Sequence, residues 1–231
     1  MTQLTQDEIK KAVGEKAADL VEDGMLVGLG TGTTAVHLIN RLIVRYHAGL
    51  RFSAVASSTR SLEQARKGGI PVFDTDRITH LDLTIDGADE IDSQNRMIKG
   101  GGGALVREKI LASSSKKMIV IVDESKCVPL LGKFGLPIEI IPFCYLTTLA
   151  KIREAGFDGR VRYTPDGSHY ITDNGNLIFD LHTPQTFSNP EEAHKRLIAL
   201  PGVVETGFFF NLPVQLLIGY QDGRVVFREE S

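Results

Sequence analysis

The sequence predicts an α/β fold: a Rossmann-like parallel-sheet domain with a smaller α+β (ferredoxin-like) second domain. Apolar strands alternate with amphipathic helices in the first half of the chain, and several strands are apolar on both faces, which is typical of a parallel sheet. After about Gly132 prolines and turn signals such as Asp173-Asn174-Gly175 become frequent. We therefore expect the α/β domain at 1–131 and 208–231, and the smaller domain at 132–207.

Local signals assign the elements of the first domain in chain order. Thr5 and Glu8 form a capping box, and the helix that follows ends at Asp23-Gly24. Ser57-Ser58-Thr59 supplies N-cap side chains for a later helix. The predicted strands are 25–29, 52–56, 70–73, 81–85 and 118–122. The spacing of apolar residues predicts helices through 36–46, 62–65 and 105–111.

The later part of the chain carries its own signals. Asn189 is a suitable N-cap, and Pro190 suits the first position of a helix. Asp222-Gly223 predicts the turn of a hairpin, whose strands we expect to return to the first domain as edge strands. The elements predicted here are a strand at 177–181, a helix at 190–200 and the hairpin strands 215–220 and 224–227.

Charge and composition exclude several classes of function. The 26 basic and 29 acidic residues give a net charge of −3, without the basic patch that nucleic acids or membrane surfaces require. Cys127 and Cys144 have neither metal-site spacing nor partners for a disulfide framework, so we expect a reducing compartment and thiols that are buried or inert. The polar N-terminal stretch and the lack of a membrane-length apolar run predict a cytoplasmic protein.

Glycine is in mild excess, with 23 residues among 231, and it clusters. The segment Gly28-Leu29-Gly30-Thr31-Gly32-Thr33-Thr34 joins a strand to a helix, where N–H groups and hydroxyls suit a small phosphate. The Rossmann fingerprint needs glycine in place of Thr33, and no Gly-Lys-Ser/Thr closes a P-loop, which disfavours dinucleotides and nucleoside triphosphates. The alternative is a tight turn with capping threonines.

Acidic residues follow the strand predicted at 81–85, in the segment Asp86-Gly87-Ala88-Asp89-Glu90. Ligands of open α/β sheets collect at the carboxyl ends of strands, so Asp86 and Asp89 are candidates to bind sugar hydroxyls or to move a proton. Magnesium is a rival ligand, because it prefers carboxylate oxygens. A solvated turn capped by aspartates is the other alternative.

The segment Lys99-Gly100-Gly101-Gly102-Gly103 precedes a helix that carries Arg107-Glu108-Lys109. Four glycines are costly to order, and their N–H groups can form a nest for an oxyanion beside Lys99. Glu108 would lie within reach of this loop, although a surface acid between two basic residues is the alternative. Lys126, in Asp123-Glu124-Ser125-Lys126, is a second candidate cation for a phosphate, or else an exposed loop lysine. The six histidines show no metal-ligand spacing.

The ordered set of motifs resembles ribose-5-phosphate isomerase of type A over essentially the whole chain. Two departures occur: Thr33 stands where the family often has serine, which preserves the hydroxyl, and Val106 stands where threonine is common. Neither departure touches a proposed catalytic group. The segments that carry the resemblance are 28–34, 86–90, 99–103 with 107–109, 123–126, 131–134, 161–176 and 201–204.

The resemblance implies an aldose-ketose isomerase that interconverts D-ribose 5-phosphate and D-ribulose 5-phosphate through an enediolate, in the non-oxidative pentose phosphate pathway. It implies that Glu108 is the proton acceptor, that Asp86 takes part in opening the furanose ring, and that Lys99 holds the reacting oxygens. With the N–H groups of Gly100 to Gly102, Lys99 would stabilise the oxyanion, so no cofactor and no metal are expected. The implied substrate-binding residues are Thr31, Gly32, Thr33, Thr34, Asp86, Gly87, Ala88, Asp89, Lys99, Gly100, Gly101, Gly102 and Lys126.

The resemblance also implies an assembly of identical chains, either a homodimer or a homotetramer, with no nucleic acid and no membrane as partner. We expect the smaller domain to lie at the subunit interface. The segment Gly207-Phe208-Phe209-Phe210 would either cover such an interface or form core.

Two other functions fit parts of the sequence. A module that senses sugar phosphates would need the phosphate loop but no base, and it usually carries a DNA-binding segment, which is not visible here. A CoA transferase of similar fold would use a glutamate as nucleophile. Hydroxylamine trapping of an acyl-enzyme would favour the transferase, whereas solvent deuterium at C1 or C2 of the sugar would favour the isomerase.

Overall fold

Strands and helices alternate in the first half of the chain, as predicted. The computed structural model describes residues 3–73, 75–182 and 186–228. In chain order the strands are β1 (Leu26–Leu29), β2 (Ser53–Ala56), β3 (Leu83–Asp86), β4 (Glu90–Ile91), β5 (Met97–Ile98), β6 (Met118–Asp123), β7 (Leu136–Ile140), β8 (Asp158–Val161), β9 (Leu177–His182), β10 (Val203–Thr206), β11 (Phe208–Phe209), β12 (Val214–Gly219) and β13 (Val225–Phe227). The helices are α1 (Gln6–Ala18), α2 (Thr33–His47), α3 (Thr59–Lys67), α4 (Leu105–Ser113), α5 (Tyr145–Glu154) and α6 (Pro190–Ile198).

Two compact units share these elements. Unit 1 comprises Met1–Ala88, Arg107–Cys127 and Asn211–Ser231, and unit 2 comprises Asp89–Val106 and Val128–Phe210. This division differs from the predicted domain bounds mainly in segment 89–106, because β4 and β5 pair with each other and β5 pairs with β11. The domain bounds stay a prediction, and the ends of the first domain, 1–2 and 229–231, lie outside the described residues.

A six-stranded sheet forms the centre of unit 1, in the order β13-β12-β6-β3-β1-β2. Neighbouring strands are parallel except β13, which runs antiparallel to β12. Buried side chains of β1, β3 and β6 join those of α1 and α2 in one apolar core. The alternation of strands and helices thus builds the α/β fold that the sequence predicts.

The helices begin at the predicted N-caps, but α1 ends at Ala18 rather than at Asp23-Gly24. The side chain of Thr5 accepts from the N–H of Glu8, while the Glu8 carboxylate accepts from the N–H of Thr5 at 2.8 Å, which completes the capping box. Ser58 caps α3, and Asn189 caps α6 with Pro190 in the first turn. Within the described residues, no helix combines the length and the apolar character needed to cross a membrane.

Two strand predictions are wrong in detail. Segment 70–73 makes one isolated bridge, between Ala54 and Val72, because Pro71 has no N–H to donate to a ladder. The hairpin around Asp222-Gly223 is confirmed, but its first strand is not an edge strand. β12 pairs along its whole length with β6, so of the two hairpin strands only β13 is an edge strand.

Unit 2 contains two antiparallel sheets, with the strand orders β10-β7-β9-β8 and β11-β5-β4. Apolar side chains of α5 and α6 pack with those of β7 and β9 in a second core, which fits the predicted α+β character. Phe208 and Phe209 are each 1% exposed within the chain. Segment 207–210 was expected either to cover a subunit interface or to form core, and these two side chains form core.

The two cysteines differ in exposure. Cys127 is half-buried, and burial raises the pKa of its thiol above the ordinary value. Cys144 is exposed and adopts a left-handed backbone conformation, with φ of 50°, directly before α5. Of the two expectations for the thiols, buried or inert, burial is therefore wrong for Cys144, and inertness stays a prediction.

Candidate active site

Three of the predicted site segments lie at one edge of the unit 1 sheet. β1, β3 and β6 are adjacent and parallel, so the residues that follow them, 30–34, 86–88 and 123–126, share the carboxyl edge. The chain leaves β1 for β2 on one side and then crosses back to β3 on the other side. Such a reversal is where ligands bind in open α/β sheets.

The threonine loop, Gly30–Thr34, packs directly against Asp86. Asp86 is 1% exposed, and its Oδ1 accepts from the N–H of Thr31 at 3.0 Å and from the N–H of Gly87 at 2.7 Å. A Cβ on Gly30 would overlap the Asp86 carboxylate and lie 2.6 Å from the Asp86 Cα. Glycine at position 30 is therefore required by this close approach, and Asp86 fixes the path of the loop.

The end of the threonine loop is the start of α2. Gly32 is the N-cap residue and supplies no side chain to cap the helix, and the first turn carries no acidic residue. The first N–H groups of a helix have no partner within the helix and favour an anion. Thr33 and Thr34 add two hydroxyls at the same point. This arrangement favours the predicted phosphate site over a self-capped turn.

Serine hydroxyls that follow β2 support the threonine loop. Ser57 Oγ donates to the carbonyl of Leu29 at 3.1 Å and lies 2.7 Å from Thr31 Oγ1. Ser61 Oγ donates to the carbonyl of Gly30 at 2.7 Å. The sequence indicates Ser57 only as part of a helix cap. Its position after a strand next to β1 was the signal that could have placed it under the loop.

Glu108 lies on the inward face of α4. It is 4% exposed, whereas Ile110 on the same helix is 57% exposed. Leu111, one turn after Glu108, packs with Val55 and Leu81 in an apolar cluster, which sets the inward face. The alternative of a surface acid is therefore wrong: this helix buries a carboxylate and exposes an isoleucine.

Lys126 lies in a short 3₁₀ turn, Glu124–Lys126, that follows β6. Asp123 caps this turn by accepting from the N–H of Ser125 at 3.0 Å. Lys126 is half-buried, so the alternative of a fully exposed loop lysine does not hold. Its turn shares the carboxyl edge with the threonine loop, as a phosphate cation requires.

Unit 2 carries Lys99 and the glycine loop, Gly100–Gly103. Lys99 is 3% exposed, and its N–H donates to the carbonyl of Gly207 at 2.9 Å. Its ammonium lies 5.5 Å from the ring centroid of Phe209, within the range of a cation–π contact. A buried cation next to exposed glycine backbone is a strong environment for stabilising an oxyanion.

Two N–H groups of the glycine loop are already engaged, and that of Gly103 donates to the carbonyl of Gly100 at 2.9 Å. Gly101 N–H donates to Asp89 Oδ2 at 2.8 Å. The expectation that the N–H groups of Gly100 to Gly102 all face an oxyanion is therefore wrong for Gly101 in this arrangement. Asp89 instead fixes the loop from its own unit, much as Asp86 fixes the threonine loop.

The carbonyls of the glycine loop are held by residues that the sequence analysis did not single out. Arg162 Nη1 donates to the carbonyl of Gly100 at 3.0 Å and to that of Gly101 at 3.1 Å. The hydroxyl of Tyr170 donates to the carbonyl of Gly102 at 3.1 Å. No local pattern marks these two residues, since they reach the loop from about sixty positions later in the chain.

Glu90 is another residue whose role the sequence did not indicate. It is 3% exposed, and its two oxygens accept from the N–H groups of Gly132 and Phe134, each at 2.6 Å. A carboxylate with two backbone donors is a strong local anchor. Glu90 therefore fixes the loop 132–134 within unit 2.

The histidines have structural contacts. His194 Nδ1 lies 2.7 Å from Thr206 Oγ1, and His169 makes ring contacts with Tyr145 and Tyr163. Over the described ranges, no group of three or more histidine, cysteine or acidic side chains is arranged to hold a metal ion.

Known proteins are similar to this chain along most of its length. A family model described as ribose 5-phosphate isomerase A (phosphoriboisomerase A) matches residues 53–223. Ribose-5-phosphate isomerase A of Protochlamydia amoebophila is 52% identical over 93% of this chain and 92% of its own length. The solved ribose 5-phosphate isomerase from Plasmodium falciparum has a TM-score of 0.92 at 36% identity, over 97% of this chain and 99% of that chain. A solved D-ribose-5-phosphate isomerase in complex with phospho-erythronic acid has a TM-score of 0.91 at 31% identity, over 98% of this chain and 100% of that chain.

Proposed function

This chain belongs to the ribose 5-phosphate isomerase A family and is an isomerase, and from that premise we propose that it interconverts D-ribose 5-phosphate and D-ribulose 5-phosphate through an enediolate. Glu108 is the proton acceptor in this proposal. The observation that carries it is the inverted pattern of α4, in which Glu108 is 4% exposed while Ile110 is 57% exposed. Burial of an acid is costly, and such residues mark functional sites.

Proton transfer needs one carboxylate. The aldose and the ketose differ in the position of two protons, one bound to C2 or C1 and one bound to O2 or O1. A single base can take the first from one carbon and return it to the other, while the second passes between the two oxygens of the enediolate. Glu108 can remove and return this carbon-bound proton because C1 and C2 are bonded to each other in the enediolate. The C–H bond that breaks leaves its electron pair in the enediolate, and the same pair forms the new C–H bond.

The phosphate of the substrate binds at the threonine loop in this proposal. The open N-terminus of α2 and the hydroxyls of Thr33 and Thr34 supply neutral donors, and Lys126 supplies a cation at the same edge of the unit 1 sheet. A phosphate held far from the reacting carbons contributes binding energy that positions those carbons. Phospho-erythronic acid, found with one similar structure, is itself a phosphorylated sugar acid, which supports this class of substrate.

Lys99 and the glycine loop stabilise the enediolate oxygens in this proposal. Lys99 is buried, so its charge acts with little screening by water. Asp86 assists the opening of the furanose ring, and its carboxylate is fixed by the N–H groups of Thr31 and Gly87. Asp89 binds sugar hydroxyls, from a position fixed by Gly101 N–H.

The reaction of the wild-type protein with ribose 5-phosphate in D₂O, with EDTA present, tests the proposal. We expect ribulose 5-phosphate to form and deuterium to enter C1 of the ketose or C2 of the aldose. Binding without product would instead support a sensing module. An acyl-enzyme that hydroxylamine traps would support a CoA transferase.

The assembly also stays a proposal. The resemblance implies a homodimer or a homotetramer, and we expect unit 2 to supply the interface. Sedimentation equilibrium over a range of concentrations measures the assembly, and a monomer at every concentration would contradict this part of the proposal.

A further inference from the structure

Asp180 fixes the guanidinium of Arg162. Arg162 Nε lies 2.8 Å from Asp180 Oδ2, and Nη2 pairs with Asp180 Oδ1, which makes a two-point contact. The backbone of Arg162 is also held on both sides, since its N–H donates to the carbonyl of Ile178 at 2.8 Å and its carbonyl accepts from Tyr170 at 3.0 Å. The side chain of Arg162 is 17% exposed. These contacts leave its Nη1 group directed at the glycine loop.

Holding a carbonyl also directs an N–H group. A trans peptide points its carbonyl and the N–H of the next residue in opposite directions. The carbonyl of Gly101 shares its peptide with the N–H of Gly102. By donating to that carbonyl at 3.1 Å, Arg162 sets the direction of the Gly102 N–H.

The neighbouring N–H groups have other tasks. Gly101 N–H donates to the carboxylate of Asp89, and Gly103 N–H donates to the carbonyl of Gly100 at 2.9 Å. The Gly102 N–H makes no hydrogen bond to any residue that the structure describes, and Gly102 is exposed. Gly100 is buried, so of the two exposed residues of the loop, Gly101 and Gly102, the one whose peptide Arg162 holds is left to face a ligand.

We propose that Arg162 is a positioning residue, which, together with Asp180, aims the Gly102 N–H at the developing oxyanion of the enediolate. This inference rests on the proposed function. Four successive glycines have no side chains to restrict their backbone, so the loop would otherwise sample many orientations. Arg162 supplies this restriction from outside the loop and touches only backbone oxygens of the loop.

Substitution of Arg162 tests the inference, with Arg160 as the matched control. Arg160 lies two residues earlier and lines the same cavity of about 410 Å³ as Arg162, Asp180 and Gly101. We expect Arg162→Gln to lower kcat by about 10- to 100-fold, somewhat less than the loss of a whole oxyanion donor, with KM within about threefold. Arg160→Gln removes the same charge and is expected to leave both constants unchanged.

Three further variants are expected to show graded losses of kcat. Asp180→Asn weakens the two-point contact with the guanidinium of Arg162. We therefore expect kcat to fall less in Asp180→Asn than in Arg162→Gln. Tyr170→Phe releases the carbonyl of Gly102, whose peptide carries the N–H of Gly103, a group already bonded inside the loop. We therefore expect Tyr170→Phe to change kcat less than Asp180→Asn does. Arg162→Lys, which keeps a donor, is expected to recover part of the activity.

Two inhibitors separate positioning from a general structural role. Inhibition by phospho-erythronic acid, whose carboxylate can meet the oxyanion donors, is expected to weaken about tenfold in Arg162→Gln. Inhibition by inorganic phosphate is expected to stay unchanged, because the threonine loop belongs to unit 1. Thermal unfolding followed by circular dichroism checks that the variant is folded.

The outcomes separate this inference from the proposed function. A wild-type protein without isomerase activity would overturn both. An active wild type with a folded Arg162→Gln variant at wild-type kcat would overturn only the positioning role. Equal losses in Arg160→Gln and Arg162→Gln, or a parallel loss of phosphate inhibition, would likewise overturn it.

Discussion

The threonine loop and the glycine loop are both glycine-rich and are held in similar ways, but they are built for different tasks. In each loop a carboxylate accepts from a backbone N–H: Asp86 from Thr31, and Asp89 from Gly101. Serine hydroxyls hold the carbonyls of Leu29 and Gly30, where β1 ends and the threonine loop begins, whereas Arg162 and the Tyr170 hydroxyl hold those of the glycine loop.

The difference lies in what each loop leaves available. The threonine loop ends at a helix N-terminus, where several N–H groups and hydroxyls converge on an anion of fixed charge. The glycine loop leaves individual backbone N–H donors next to the buried cation Lys99. This arrangement suits a negative charge that develops during a reaction. We therefore expect changes in the threonine loop to act mainly on KM, and changes at the glycine loop to act mainly on kcat.

Among changes at the two loops, removal of the buried cation Lys99, next to the glycine loop, is expected to have the largest effect. Lys99→Met should lower kcat by about 10²- to 10³-fold, because one preorganised donor to the oxyanion is lost, with a much smaller change in KM. Lys133→Met, at an exposed lysine of unit 2, is the control and should be active. Steady-state kinetics with ribose 5-phosphate measures both, and a Lys99 variant altered only in KM would make Lys99 a ground-state binding group.

The two loops should also differ in their tolerance of a methyl group. Gly30→Ala brings a Cβ to 2.6 Å from the backbone of Asp86, so we expect a loss of about 1–3 kcal/mol in the free energy of unfolding. Gly101→Ala meets only side chains, Asp89 at 2.7 Å and Phe134 at 2.9 Å. These side chains can move, so a smaller loss is expected. Urea denaturation compares the two, and equal losses would contradict the difference in how the loops are packed.

The fold was largely predictable because its signals are local. Caps at Thr5, Ser58 and Asn189 appear in the sequence as they appear in the structure, since each depends on residues three positions apart. The interior position of β12 was not predictable, because it depends on pairing with β6, nearly a hundred residues away. The bridge that replaces a strand at 70–73 could, in contrast, have been predicted, because Pro71 is visible in the sequence.

The candidate site was predictable where a motif lies in one segment. The threonine loop, the segment after β3 and the glycine loop are each continuous in sequence, so their composition pointed to them. The supports of the threonine and glycine loops were not predictable, because Ser57 and Arg162 act on backbone groups from other elements. Backbone carbonyls and N–H groups are common to nearly all residues, so the composition does not show which of them a distant side chain will bind.

A change in the threonine loop should weaken binding rather than turnover. Thr34→Val removes a hydroxyl at the start of α2 and keeps the shape of the side chain. We expect KM to rise about tenfold, the value of one hydrogen bond to a charged group, with kcat within about twofold. Thr147→Val, on α5 of unit 2, serves as the control. A loss in kcat at unchanged KM would remove the distinction between the two loops.

The smallest effect is expected at the opposite edge of the unit 1 sheet. Asp82 accepts from the N–H of Leu26 at 2.9 Å and from Lys116 at 2.8 Å, and these contacts lower its pKa below 3.8. A lowered pKa stabilises the folded state above the unfolded pKa, and this contribution is lost as the pH falls through the folded pKa. Asp82→Asn should therefore cost about 1 kcal/mol near neutral pH.

Denaturation at two pH values checks the role of Asp82. The difference between wild type and Asp82→Asn should shrink below pH 3.8, and kcat should be unchanged at neutral pH, since Asp82 precedes β3 and lies away from the loops that follow the strands. A difference in stability that grows as the pH falls would contradict the sign of this effect.

The central assignment is that the buried carboxylate of Glu108 moves the proton. Its most direct test is the turnover of Glu108→Gln, which keeps the shape of the side chain and removes the base, with Glu63→Gln on α3 as the control. We predict that kcat falls by about 10²- to 10⁴-fold, that deuterium from solvent no longer enters the sugar, and that inhibition by phosphate is unchanged. A folded Glu108→Gln protein with near wild-type kcat would contradict the assignment.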